Sequence, residues 1–132
     1  MRTNKLLWIV QGLLAALFLF AGGVKLVLPV EAMQQGPVAL PGTFLRFIGV
    51  CEICGAAGLV LPWALRIRPV LTPLAASGLV IIMIGATVVT ALSGPAAPAL
   101  FPLIVGVLCG SVIYGRSRTL KVRAAQLKVR AA

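Results

Sequence analysis

A bundle of four membrane-spanning helices, all-α and without a soluble domain, is the fold this sequence predicts, on three observations. The 132-residue chain is 61% hydrophobic and 11% charged, with a mean hydropathy of +1.11, whereas soluble domains carry about 25% charged residues. Four apolar stretches, Leu6–Leu28, Phe47–Leu65, Val70–Leu92 and Ala96–Tyr114, reach or approach the roughly 20 residues that a helix needs to cross a bilayer. Four crossings also sort the charge. Of the 12 lysines and arginines, only Lys25 and Arg46 fall on one side. Arg2, Lys5, Arg66, Arg68 and the six cations between Arg116 and Arg130 fall on the other, which the positive-inside rule makes cytoplasmic, together with both termini.

The elements follow in order. The first helix, about 6–28, has Trp8 at the cytoplasmic interface, where an indole is favoured, and Pro29 ends it. Arg2 and Lys5 before an apolar run resemble a signal peptide. The run is longer than usual and lacks a small-residue cleavage site, so it is read as a retained helix. The loop Val30–Thr43, with Glu31, Pro37 and Pro41, suits a lid or a short interfacial segment. A second helix over about 44–65 ends near Pro62 and Trp63, and Arg66-Ile67-Arg68-Pro69 makes a tight turn into an antiparallel third helix over 70–92. Its Thr72, Ser77, Thr87 and Thr90 can bond their own backbone and need not mark a pathway. Ser93–Pro98 forms an external turn, and the fourth helix, 96–114, ends at Tyr114 and Gly115. Residues 1–115 thus form the transmembrane domain and 116–132 a basic cytoplasmic tail, whose repeat LKVRAA is read as an interfacial helix on the inner leaflet. The net charge of +10 therefore reflects topology and attraction to anionic lipid, not nucleic-acid recognition.

Chemistry has few places to reside. Glu52 is one of two acidic residues in the chain and lies inside the second apolar segment. A carboxylate there costs about 3 kcal/mol on insertion scales, so it is expected to face protein, water or a cation. Lys25, the one cation on the neighbouring segment, lies within reach across the two helices. The pair reads either as a structural ion pair that fixes register or as an outward-facing site for a small polar head group, with Arg46 at its rim. Cys51 and Cys54 form C-x-x-C in the same helix. As a redox pair they would suit an oxidising compartment. With Gly55 and Gly58 they also make a small-residue packing stripe, which is the preferred reading. Gly106-x-x-x-Gly110 is a further close-packing signal. The chain has no histidine, which removes imidazole haem ligation and most metal sites. Autonomous enzymatic chemistry has little to work with.

Two of these segments resemble the DoxX-like family of small bacterial membrane proteins. Phe18-Leu19-Phe20-Ala21-Gly22-Gly23-Val24-Lys25 resembles the F-x-x-A-G-x-x-K ending of the family's first helix. Gly49-Val50-Cys51-Glu52-Ile53-Cys54-Gly55-Ala56-Ala57-Gly58-Leu59-Val60-Leu61-Pro62 resembles its G-x-x-E-x-x-G-x-x-G-L-x-L-P second helix. The resemblance implies a multi-pass protein of the bacterial inner membrane. It makes Lys25, Arg46, Gly49, Glu52, Gly55, Gly58 and Pro62 pattern positions. It also implies an accessory role in redox or quinone-linked metabolism, with quinone as the suggested cofactor and a membrane redox partner or a second copy as the suggested partner. Where many bacterial members carry a histidine near the end of the third helix, this chain has Ala91. A non-catalytic scaffold or assembly factor, and a small oligomeric transporter or channel, are the rival readings.

Overall fold

The computed structural model describes residues 2–34 and 38–132, so Pro37 of the first loop lies outside the described residues. Five α-helices follow one another: α1 Arg2–Val27, α2 Val30–Met33, α3 Gly42–Ala64, α4 Leu71–Leu92 and α5 Leu100–Ala131, the last preceded by a 3-10 turn at Ala97–Ala99. Four of them are long and apolar enough to cross a membrane. Most large apolar side chains on their outer faces are exposed, as lipid contact requires. The helices form a closed ring in the order α1, α3, α4, α5. The α1–α3 and α4–α5 seams are the most extensive, and α1–α5 is the thinnest.

Small residues decide how closely the helices approach. Association within lipid gains little from hydrophobicity, so van der Waals contact at small residues dominates. A Cβ on Gly22 would stand 2.6 Å from the Gly49 carbonyl oxygen, and one on Gly49 would stand 3.0 Å from that of Gly22. The α1–α3 crossing is therefore backbone on backbone. Gly55 receives Leu79 and Gly58 receives Ala75, which joins α3 to α4, while Gly115 receives Leu7 from α1. Of the Gly106/Gly110 pair, Gly106 packs on Met83 and Gly110 has no neighbour that a Cβ would meet. Between the seams lies one apolar core that includes Leu14, Phe18, Leu59, Leu79, Cys109 and Val112.

Local chemistry accounts for the ends. Val30 packs on Gly42 and so holds the short α2 against the start of α3. At the other end of α3, Arg66 adopts φ 56°, while the Ile67 amide donates to Pro62 O over 3.0 Å and the Leu65 amide to Leu61 O over 2.8 Å. This is a Schellman closure with arginine in the left-handed position usually filled by glycine. Ser77 and Thr87 donate to Pro73 O and Met83 O one turn back, so these hydroxyls serve their own helix.

One boundary departs from the sequence expectation. The fourth membrane helix does not end at Tyr114 and Gly115, and no separate interfacial helix follows. α5 runs unbroken for 32 residues. At 1.5 Å per residue that is about 48 Å, against a hydrocarbon core of about 30 Å. The repeat consists of helix formers without a proline, so nothing in it breaks the ladder. Residues from Lys121 onward are all exposed.

Gly22→Leu is expected to lower stability by about 2 kcal/mol, because the obstructing atom is backbone and cannot rotate away. Gly78→Leu, where an added Cβ would meet no atom within 4 Å, is expected to leave it unchanged. Thermal unfolding of both variants in mild detergent checks the contrast.

Candidate functional site

The α1–α3 crossing carries the charged pair. Lys25 lies one turn beyond Gly22, and Glu52 one turn beyond Gly49 in the antiparallel partner. The Lys25 Cβ therefore sits beside Gly49 and the Glu52 Cβ beside Gly22. The lysine stem must run inward along the crossing to reach the carboxylate rather than snorkel outward. Nζ donates to Oε1 over 3.0 Å and to Oε2 over 2.8 Å. The Glu52 side chain is 3% exposed and that of Lys25 27%, so the carboxylate is captive while the ammonium lies near an exit. It is the only salt bridge among the described residues.

The pair lies on the wall of a cavity of about 680 Å³ bounded by α1, α3, α4 and α5. Phe18, Phe44, Ile48, Ile82 and Phe101 are among its lining residues, which makes it an apolar chamber with Lys25 and Glu52 as its charged groups. This is wider than the crevice between two helices that sequence alone suggests. Arg46 does not line it. That side chain is exposed, and its Nη1 donates to Leu26 O over 3.2 Å, covering a carbonyl that the end of α1 leaves free. Cys51 lines the cavity, whereas Cys54 points to the exterior, and both are free thiols. Their helix neighbours Gly55 and Gly58 make the α4 contacts described above. Among the described residues no cluster of three potential metal ligands occurs.

A second polar cluster lies at the basic end of the bundle, and sequence reasoning missed it. Arg116, assigned to the basic cytoplasmic tail by sequence, is completely buried. Its Nε donates to Gln11 Oε1 over 2.6 Å and its Nη1 to Asn4 Oδ1 over 2.9 Å. Gln11 Nε2 in turn donates to Leu59 O. The guanidinium lies 4.2 Å from the Trp63 ring centroid and 5.3 Å from that of Trp8. Two aromatic faces and two amide oxygens thus take the place of a carboxylate. Gln11 was the available signal, being the one amide within the apolar run of α1. The cluster ties α1, α3 and α5 together on the side away from Glu52.

With both sites in place, comparison with known proteins places the fold. A family model described as the DoxX-like family matches residues 9–112. The chain belongs to the DoxX-like family. No curated protein and no solved structure matches it. Gly22, Lys25, Gly49 and Glu52, on which the DoxX-like resemblance rests, are the residues of the α1–α3 crossing. The motif therefore specifies a helix approach together with the ion pair that the approach enables. The family match stops short of Arg116 and the basic end of α5.

The unequal exposure of the pair sets an order of costs. Lys25→Met strands a captive carboxylate and is expected to cost about 3 kcal/mol, whereas Glu52→Gln releases a lysine that can snorkel and costs about 1 kcal/mol. Midpoints of thermal unfolding at neutral pH test the ranking. At the other end, Arg116→Ala leaves Gln11 and Asn4 oxygens without donors and opens a gap between two indoles. It is expected to cost about 3 kcal/mol, while Arg118→Ala, at an exposed position, stays within about 0.5 kcal/mol of the parent.

Proposed function

We propose that this DoxX-like protein is an accessory component of redox or quinone-linked metabolism in the bacterial inner membrane, holding a small lipid-soluble molecule against Glu52. The observation that carries the reading is the placement of the one ion pair among the described residues on the wall of a large apolar cavity. A carboxylate needed only to fix helix register has no reason to border such a space. An apolar chamber with a few convergent polar groups is the usual form of a small-molecule site. Glu52 accepts a hydrogen bond or a proton from the bound head group, and Lys25 holds its charge. A quinone ring fits the chamber's size and apolar walls, with Phe18, Phe44 and Phe101 available to contact it and Glu52 to bond one polar edge. Arg46 lies outside the lining, and in this reading it orders the α1 end beside Lys25.

Orientation follows from charge. The basic end of the bundle faces the cytoplasm, the Glu52 half faces the opposite leaflet, and the basic turns of α5 reach past the inner head groups, where anionic lipid attracts them. The two cysteines serve packing and lining rather than electron relay.

The scaffold reading has one specific observation in its favour: Lys25 already engages both carboxylate oxygens, as a purely structural pair would. Mass spectrometry of small molecules that co-purify in mild detergent separates the two. The pocket reading expects a near-stoichiometric quinone or other lipid-like species in the parent protein and its loss in Glu52→Gln. An empty parent protein, with a variant that merely unfolds earlier, leaves the scaffold.

A further inference from the structure

We infer that the molecule held at Glu52 is a chain-bearing amphiphile drawn sideways from the bilayer between α3 and α4, its head at the ion pair and its chain along that seam. The inference rests on the pocket reading above and adds the ligand's class and its route.

The seam is closed on one half only. Gly58 against Ala75 and Gly55 against Leu79 close it toward the basic end. Beyond Leu79, Gly85 has no atom within 4 Å of where a Cβ would stand, and Gly78, between Ala75 and Leu79 but on the outer flank of the seam, has none either. Residues beside this gap belong to two surfaces at once. Phe47 and Ile81 line the cavity, yet they are 63% and 70% exposed on the membrane face. A second concavity of about 390 Å³ lies on the same seam, lined by Cys54, Gly55, Ala75 and Gly78, and it shares Cys51, Ile81 and Ile82 with the cavity. Inner chamber and outer groove thus meet at Cys51 and Ile81, and the groove ends on lipid.

The chemistry of the two parts differs. The groove has no charged side chain and no amide among its lining residues. A water-soluble ligand would find nothing there to replace its hydration. A hydrocarbon chain loses nothing by leaving lipid for such a surface, since the two are equally apolar. At the inner end, Glu52 and Lys25 already balance one another. A head group with net charge would bring an uncompensated charge to this depth, where none is tolerated cheaply. The geometry therefore fits a neutral head with a carbonyl or hydroxyl, on a prenyl or acyl chain.

The test uses the full chain in liposomes with two probes, a benzoquinone and a primary alcohol, each on a decyl chain ending in a diazirine. Irradiation and peptide mapping locate the chain terminus. Adducts are expected on Cys54–Gly55 and on Ala75–Ile82, falling about tenfold in Glu52→Gln. They are expected to leave the seam in Gly78→Phe, which fills the groove without touching the ion pair. The probe that labels more strongly identifies the head as carbonyl or hydroxyl. Adducts that depend on Glu52 but fall on Leu40, Phe44 or Pro98 would overturn sideways admission and leave the pocket standing. Labelling spread evenly over the lipid-facing surface, and indifferent to Glu52→Gln, would overturn both.

Discussion

A lysine and a carboxylate placed singly in a bilayer each cost several kcal/mol, and the α1–α3 crossing is where this chain offsets that cost. Only where Gly22 and Gly49 bring two backbones into contact are the helices close enough for the Lys25 ammonium to reach both Glu52 oxygens. Larger residues at either glycine would separate the helices and leave two buried charges without partners. The close approach also sets the register of α1 against α3. That register carries Gln11 to the Leu59 carbonyl several turns away.

The bundle is consequently built differently at its two ends. At the basic end it is clasped, with one guanidinium held between two indoles and bonded to side chains of α1. Toward the other end the helices separate around a chamber, and the ion pair lies beside it. A clasped end and an open end in one small bundle leave an apolar chamber without a separate domain to carry it.

The number and order of the membrane helices were legible in the sequence, because apolar length and the alternation of charge report directly on the bilayer. That Lys25 lies within reach of Glu52 was legible too, from their similar depth on adjacent helices; whether its stem turns inward to pair or snorkels outward was not, because that depends on the approach at Gly22 and Gly49. The remainder depended on directions that one dimension does not carry. Arg116 follows Gly115 at the edge of an apolar run and begins a basic segment, so nothing local distinguishes it from exposed Arg118. Its burial is set by Trp8 and Trp63, which come from two other helices. Likewise, Arg46 turns back toward Leu26 O, a choice fixed by the position of the α1 terminus. The end of α5 was misplaced because hydropathy marks where lipid stops, whereas helix propensity decides where the helix stops.

That unbroken α5 has a mechanical consequence. One rod carries Phe101, Pro102 and Val105 on the chamber wall, Arg116 at the clasp, and some fifteen residues beyond it. The chamber wall and the clasp are therefore parts of one rigid element, so the contacts of Arg116 with α1 and α3 also fix the register at which Phe101 and Val105 face the chamber.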